Sequence, residues 1–400
     1  MAKKNIQDLK FKSIVGWRGD SLVCNQAFGG DIFSGCSMNC FFCFTTEVNE
    51  RLLTRYYDGW NPNLVRACDP EDYRRLFDKA FGSDKEYTDW HVKCLRYGLP
   101  FNMGSKAETF CIEDTRYEKS VVIPVLELFR EYNVPIILET KSHLVGLKRY
   151  IDIIKDLNVA VIISIMGGSD TLNYVLEPLS PNVSMRWALV KELNDLGIWT
   201  AVRWEPLLCG INTGRAIFED YAQKAADSKA KHISFFNYRT SNYKRAQREF
   251  EARGFDYIKL LEKNLDEKWQ PVGRQFLDII KEKGVPVSSP DIVNFPFDSD
   301  CVSCCGTDKL FKPYNFNFQY ALSLIKKKGN VSWNDMEEVE FREPESYERM
   351  KMLWNKAAKG YYSIADCVGI KVLDQDKNRM NIYGNEDGVA KVKKKKGFLR

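Results

Sequence analysis

Histidine is scarce: the chain has three in 400 residues. His91, His143 and His232 show no metal-ligand spacing and read as packing or surface residues, so a histidine-built metal centre is not indicated. Long apolar runs are missing as well. The longest uncharged stretch, Ile32–Thr46, is fifteen residues rich in Cys, Ser and Phe. A bilayer span needs about 20 predominantly apolar residues, which excludes a membrane protein as the default. No apolar run follows the charged start MAKKNIQDLKFKS, so no export signal is expected and the cytoplasm is the expected compartment. Tandem repeats are absent, and no GxGxxG or GxxxxGKS follows a strand-like run, which argues against a nucleotide-phosphate cradle. Excess positive charge in the body is lacking too. Lys and Arg total 59 against 54 Asp and Glu, but the last ten residues (KVKKKKGFLR) hold five Lys and one Arg, leaving the preceding 390 at −1.

What is present is a globular composition, 44% hydrophobic, long enough to bury a large core without disulfides. From about residue 98 short apolar runs alternate with amphipathic stretches. Phe101–Ser105, Val134–Thr140, Val159–Ile165, Trp199–Leu207 and Ile233–Phe236 read as strands, and Val285–Ser288 as a further one. Ser120–Tyr132, Leu147–Leu157, a segment capped by Ser184 and stopped by Gly197, Ala216–Ala226 and Gln275–Lys283 read as helices. Strand–helix alternation of this kind predicts an α/β fold with a parallel sheet, doubly wound or barrel-like. Asp69–Phe81 reads as a helix with Asp69 as cap and Pro70 at its first position. Beyond Pro290 the alternation stops. Tyr314–Tyr320, with aromatics at period two, reads as a half-buried strand in preference to a base-stacking platform. Val368–Tyr383 reads as a hairpin or loose ribbon.

Twelve cysteines in a chain with no visible export signal call for metal, redox chemistry or buried thiols. Three lie within eight residues, Cys36-Ser-Met-Asn-Cys40-Phe-Phe-Cys43, after Gly35 and a short strand. Three thiolates can hold three corners of a 4Fe–4S cube, which ordinarily takes four, leaving one iron open to another ligand. Structural zinc prefers paired CxxC motifs, and no second pair of zinc-finger spacing lies nearby.

This CxxxCxxC motif, with an aromatic (Phe42) before its third cysteine, resembles the signature of radical S-adenosylmethionine (SAM) enzymes. The resemblance covers roughly residues 30–290 and implies a partial (β/α)6 TIM-type barrel with an N-terminal extension (1–30), a radical SAM core (31–290), a cysteine-bearing C-terminal appendage (291–390) and a basic tail (391–400). It further implies a 4Fe–4S cluster on Cys36, Cys40 and Cys43, SAM chelating the open iron, and reductive cleavage to a 5′-deoxyadenosyl radical that takes a hydrogen from substrate. A flavodoxin- or ferredoxin-like electron donor is the implied partner. The downstream pattern is most similar to the spore photoproduct lyase group: Ser105 and Glu108 in NMGSKAE, Lys141 in ETKS, Ser164 at a strand tip, then Glu177-Pro-Leu-Ser-Pro181, Arg186, Gly197-Ile198 and Glu205-Pro206-Leu207. That likeness makes Phe42, Ser105, Glu108, Lys141, Ser164 and Glu205 expected cofactor contacts, and Arg203, on the same strand face as Glu205, is expected to join them. It points to a pyrimidine base in DNA or a nucleotide as substrate, with a peptide or small metabolite as the alternative. From another class comes a non-catalytic iron–sulfur or zinc nucleic-acid-binding protein. One departure stands out: photoproduct lyases carry a hydrogen-donating Cys where this chain has Met103, and a thioether cannot donate hydrogen as a thiol does. Cys111 lies six residues past Ser105.

Read without the family, Lys141 closes an apolar strand and either meets an anion or begins a helix that Ser142 caps. Arg203 and Glu205 share one strand face, pairing with each other or serving a ligand. Gly167 and Gly168 leave their strand as a close-approach site or as an ordinary turn. A second group, Cys301-Val-Ser-Cys304-Cys305, could hold an auxiliary iron–sulfur cluster with Cys209 or Cys367 as fourth ligand, or a zinc ion. Cys304 and Cys305 could instead act catalytically as hydrogen donors, and buried or surface thiols are the plain alternative. The tail would add attraction to DNA phosphates or serve as a solubilising end.

Overall fold

The computed structural model describes residues 65–82, 89–112, 114, 120–238 and 243–291, most of 24–45 and of 294–354, and the short strands at 4–5, 16–17, 57–58, 380–384 and 389–394. Two compact units emerge, one formed by 1–16 and 28–286, the other by 17–27 and 287–400.

The first unit is built on six parallel strands: β1 (Phe28–Gly30), β4 (Phe101–Met103), β5 (Ile136–Thr140), β6 (Val159–Ser164), β7 (Thr200–Leu207) and β8 (Ile233–Asn237). A small antiparallel pair, β2 (Phe33–Ser34) with β3 (Arg66–Ala67), intervenes between β1 and β4. The six strands lie side by side in chain order, β1-β4-β5-β6-β7-β8. Doubly wound sheets reverse their order at a switch point; here each crossover moves one strand onward in the same sense. Among the described residues no pairing joins β8 back to β1.

Helices supply the crossovers: α1 (Pro70–Phe81), α2 (Trp90–Tyr97), α3 (Val122–Glu131), α4 (Lys148–Ile154), α5 (Asp170–Leu176), α6 (Val183–Asp195), α7 (Arg215–Asp227), α8 (Tyr243–Glu251), α9 (Tyr257–Lys263) and α10 (Asp266–Glu282). The Asp69 side chain caps α1 by accepting from Glu71 N, with Pro70 at the first position as the sequence predicts. Gly197 adopts φ 82° and stops α6. The other end of α6 differs from expectation. It begins at Val183 after Asn182, and Ser184 instead donates its hydroxyl to Asp170 of α5.

Strand burial explains the near-continuous apolar runs. All five residues of β5 are buried, as are the four central ones of β6, because parallel strands are covered on both faces. Two aromatic clusters fill the layers: Tyr73, Phe77, Phe101 and Phe129, and Trp204, Phe218, Tyr221 and Phe276. Gly167 belongs to the second. A Cβ there would lie 1.9 Å from the Trp204 ring, and Gly168 has φ 113°. These two glycines make room for Trp204 and for a turn, which accounts for them without a ligand.

In the second unit, α11 (Phe318–Lys328) begins where a period-two strand was predicted. Tyr314, Phe316 and Phe318 are all buried, with Phe316 stacked on Tyr347 at 5.6 Å, so the alternation records packing against helices and not a pleat. Then follow β9 (Val331–Ser332), α12 (Trp333–Glu337) with a Ser332–Asp335 capping box, β10 (Met380–Gly384) and β11 (Val389–Lys394). Strands β9, β11 and β10 form an antiparallel sheet, so the first part of the basic tail is strand. Residues 368–379 and Cys367 lie outside the described residues.

Candidate functional site

A cavity of about 330 Å³ opens at the C-terminal ends of β4 to β8, the edge at which parallel α/β folds place their sites. Its wall takes Ser105 and Glu108 from the loop after β4, Lys141 just past β5, Ser164 ending β6, Arg203 and Glu205 on β7, and Tyr238 after β8. The loop after β2 adds Cys36, Cys40, Phe42 and Cys43. Every residue expected to contact cluster or SAM thus borders one space. None of the three histidines does, and Met103 and Cys111 are fully buried.

The cysteine loop is held by its aromatic residues. Gly35 turns it with φ 80°, and Cys43 N donates to Cys40 O at 3.1 Å. Phe41 is buried edge-to-face against Phe250 of α8 at 4.6 Å, with the Arg253 guanidinium over its ring at 4.4 Å. Met38, Phe41, Phe42, Tyr238, Phe250, Tyr257 and Leu260 form one apolar cluster around Cys40. Burial pushes the Cys36 thiol up to about 12 and raises Cys40 as well; for Cys40 the nearby Lys141 pulls the other way and Glu177 adds to the rise. Metal ligation needs the thiolate, so loading this loop would release protons.

Beside it, Gly104 takes φ 94°, and its N–H donates to Asp31 at 3.0 Å. A Cβ on Gly104 would lie 2.1 Å from the Glu139 carbonyl oxygen, so only glycine lets the β4 loop pass β5. Glu108 clamps the same junction. Its carboxylate accepts from Phe110 N (3.0 Å), Lys141 N (2.9 Å) and the Thr140 hydroxyl. Burial raises its pKa, and those donors oppose the rise.

Two charge networks face the cavity. Glu139 accepts from Asn102 at 2.7 Å through one oxygen and from Arg203 through the other, while Arg203 Nε lies 3.8 Å from Glu205. Arg203 and Glu205 therefore do approach each other, but the close partner of Arg203 is Glu139, two strands away. Ser234 donates to Glu205 at 3.0 Å. The second network is deeper. Lys141 Nζ is 2.5 Å from Glu177 Oε1 and 5.5 Å from the Phe42 ring centroid. Arg186, wholly buried, donates to Glu177 Oε2 at 2.6 Å, to the Ser164 carbonyl at 2.8 Å and to Asn173. Although burial pushes the Glu177 carboxyl up, the Arg186 and Lys141 cations outweigh it and hold it at about 2. The Cys40 thiol points to Glu177 Oε1 at 3.9 Å. Lys141 has its anion, and Ser142 caps the following turn by accepting from Leu144 N at 3.1 Å.

The donor chemistry fits an iron–sulfur cluster: three thiols on one loop at the cavity wall, beside a buried network with one cation in excess. Among the described residues no three His, Cys, Asp or Glu side chains converge tightly enough for a single metal ion. The second trio belongs to the other unit. There Cys304 and Cys305 are buried with sulfurs 3.7 Å apart, Cys301 is partly buried with its thiol pushed up to about 11, and no single-ion site is assembled. Cys209, buried in the first unit, does not border the cavity. Sequence reasoning missed Glu139 and Asn102 as site-shaping groups. Their signal was the polar interruption of otherwise apolar strands.

A scan against protein-family models finds no match, and a search of curated proteins finds none. Solved structures do resemble the chain. One is Streptococcus suis SuiB bound to precursor peptide SuiA, 17% identical over 57% of this chain and 45% of that one, with TM-score 0.35. SuiB bound to S-adenosylmethionine is similar at 16% identity over 57% and 46%, with TM-score 0.36. Spore photoproduct lyase complexed with dinucleoside spore photoproduct is 12% identical over 67% of this chain and 76% of that one, with TM-score 0.46. This chain thus spans less than half the length of SuiB.

Proposed function

We propose that the protein is a radical SAM enzyme, with Cys36, Cys40 and Cys43 holding a 4Fe–4S cluster and SAM filling the adjoining cavity on a partial barrel. The observation that carries this reading is the convergence of the three thiols and seven polar or aromatic contacts, drawn from five strand ends, on one space. When bound, such a cluster supplies the electron that cleaves SAM to a 5′-deoxyadenosyl radical.

The chain's own residues bind, orient and exclude water. Phe42 covers the loop side and sets an apolar wall beside the Lys141 ammonium. Ser164 and Ser105 offer hydroxyls at strand ends, and Glu205 and Arg203 offer one charge of each sign, suited to a zwitterionic amino acid moiety. Glu108 fixes the backbone of Lys141, so the β4 and β5 ends move as one.

The substrate we favour is a pyrimidine base in DNA or a nucleotide, with a flavodoxin- or ferredoxin-like protein as electron source and the cytoplasm as compartment. No helix among the described residues is long and apolar enough to cross a membrane. The test is anaerobic turnover with SAM, dithionite and thymidine-deuterated DNA. Deuterium appearing in 5′-deoxyadenosine supports the DNA reading. Unlabelled 5′-deoxyadenosine moves the substrate to a peptide or small metabolite, and none at all overturns the enzyme reading.

A further inference from the structure

The Glu177–Lys141–Arg186 network is more than an ion pair. Arg186 and Glu177 side chains are fully buried and that of Lys141 is 20% exposed, so two cations and one carboxylate share a poorly solvated space. An unbalanced charge in such a space is costly. Cys40 borders this network, its sulfur 3.9 Å from both Glu177 Oε1 and Ser180 Oγ. Each member is tied to a different element. Arg186 on α6 is fixed to the end of β6 through the Ser164 carbonyl, Glu177 follows α5, and Lys141 follows β5. The arrangement holds one surplus positive charge at a set place beside the cysteine loop.

We infer that Glu177 is a positioning residue that pins the Lys141 ammonium beside Cys40 and, through the net charge of this network, sets the reduction potential of the cluster on the Cys36–Cys43 loop. The inference rests on the cluster reading above. Cluster potentials respond to nearby charge and hydrogen bonding, and added positive charge favours the more negative, reduced state. The native surplus is one cation. Glu177→Gln keeps the shape and raises the surplus to two, Lys141→Met lowers it to zero, and the double variant returns it to one.

The experiment is anaerobic reconstitution of the full chain and its variants, iron counting, and a redox titration followed by electron paramagnetic resonance. Glu177→Gln is expected to shift the midpoint potential positive, Lys141→Met negative, and the double variant back towards the native value. A merely structural role would move both single variants the same way, or neither, and the double variant at least as far; that outcome overturns the proposal. Should Glu177→Gln fail to fold, Lys141→Met decides alone, since its side chain reaches solvent: a negative shift supports the proposal and an unchanged potential overturns it. Native protein that binds no iron overturns the cluster reading itself, a result distinct from a loaded cluster whose potential ignores these charges.

Discussion

Glu177 holds its proton far less tightly in the fold than in the unfolded chain, about 2 against an ordinary 4.5. A depressed carboxyl contributes stability that is present above pH 4.5 and lost as pH falls towards 2. Acid unfolding of the native protein is therefore expected to carry a component between about pH 5 and 2, worth a few kcal/mol, that Glu177→Gln lacks; urea titrations at stepped pH measure it. Glycines give a second residue-scale contrast. Gly104 and Gly98 both have positive φ, but a Cβ on Gly98 meets nothing within 4 Å, whereas one on Gly104 strikes the Glu139 carbonyl. Gly98→Ala is expected to cost about 1 kcal/mol. Gly104→Ala should cost roughly twice that or more, because the β4 and β5 ends must part. Equal losses in thermal unfolding would contradict this account of the junction.

At the scale of elements, the cysteine loop is positioned by helices far from it in sequence. Phe250 touches Phe41, Tyr238 and Tyr257, so its ring packs α8 against the loop. Phe250→Ala is expected to lower stability by about 3–5 kcal/mol and to reduce iron retained after gel filtration; full retention would show that the loop holds its shape unaided. Gly167 and Trp204 couple β7 to the segment after β6 in the same manner. Gly167→Ala, with no room for its methyl, should destabilise by at least 1–3 kcal/mol through overpacking. The strands were legible because burial on both faces leaves largely apolar runs, with few polar residues among them. Helix ends were less so: Ser184 has the chemistry of a cap, yet Asp170 on the preceding helix claims its hydroxyl. Tyr314–Tyr320 shows the limit of periodicity, since a short alternation is satisfied equally by aromatic packing against Trp333 and Tyr347.

Across the whole molecule, what could be read from sequence was what local chemistry dictates: the three thiols, the strand-end serines and Lys141. The partners of those groups could not. Arg203 reads naturally as the mate of Glu205 two residues on, but sheet order places Glu139 within closer reach. Glu177 and Arg186 could be picked out as a pattern, yet the hold of Glu177 on both Arg186 and Lys141 beside Cys40 depends on three separate crossovers meeting at one edge. Strictly sequential strand order is what brings these ends together, because each helix returns the chain to the next neighbour and every strand finishes at the same rim. The account rests on that rim assembling the thiols and the polar contacts into a single working cavity. Its most direct measurement is 5′-deoxyadenosine formed from SAM and dithionite by anaerobically reconstituted protein, native against Cys40→Ala. The account predicts formation by the native chain and none by the variant; formation by neither, or equally by both, would contradict it.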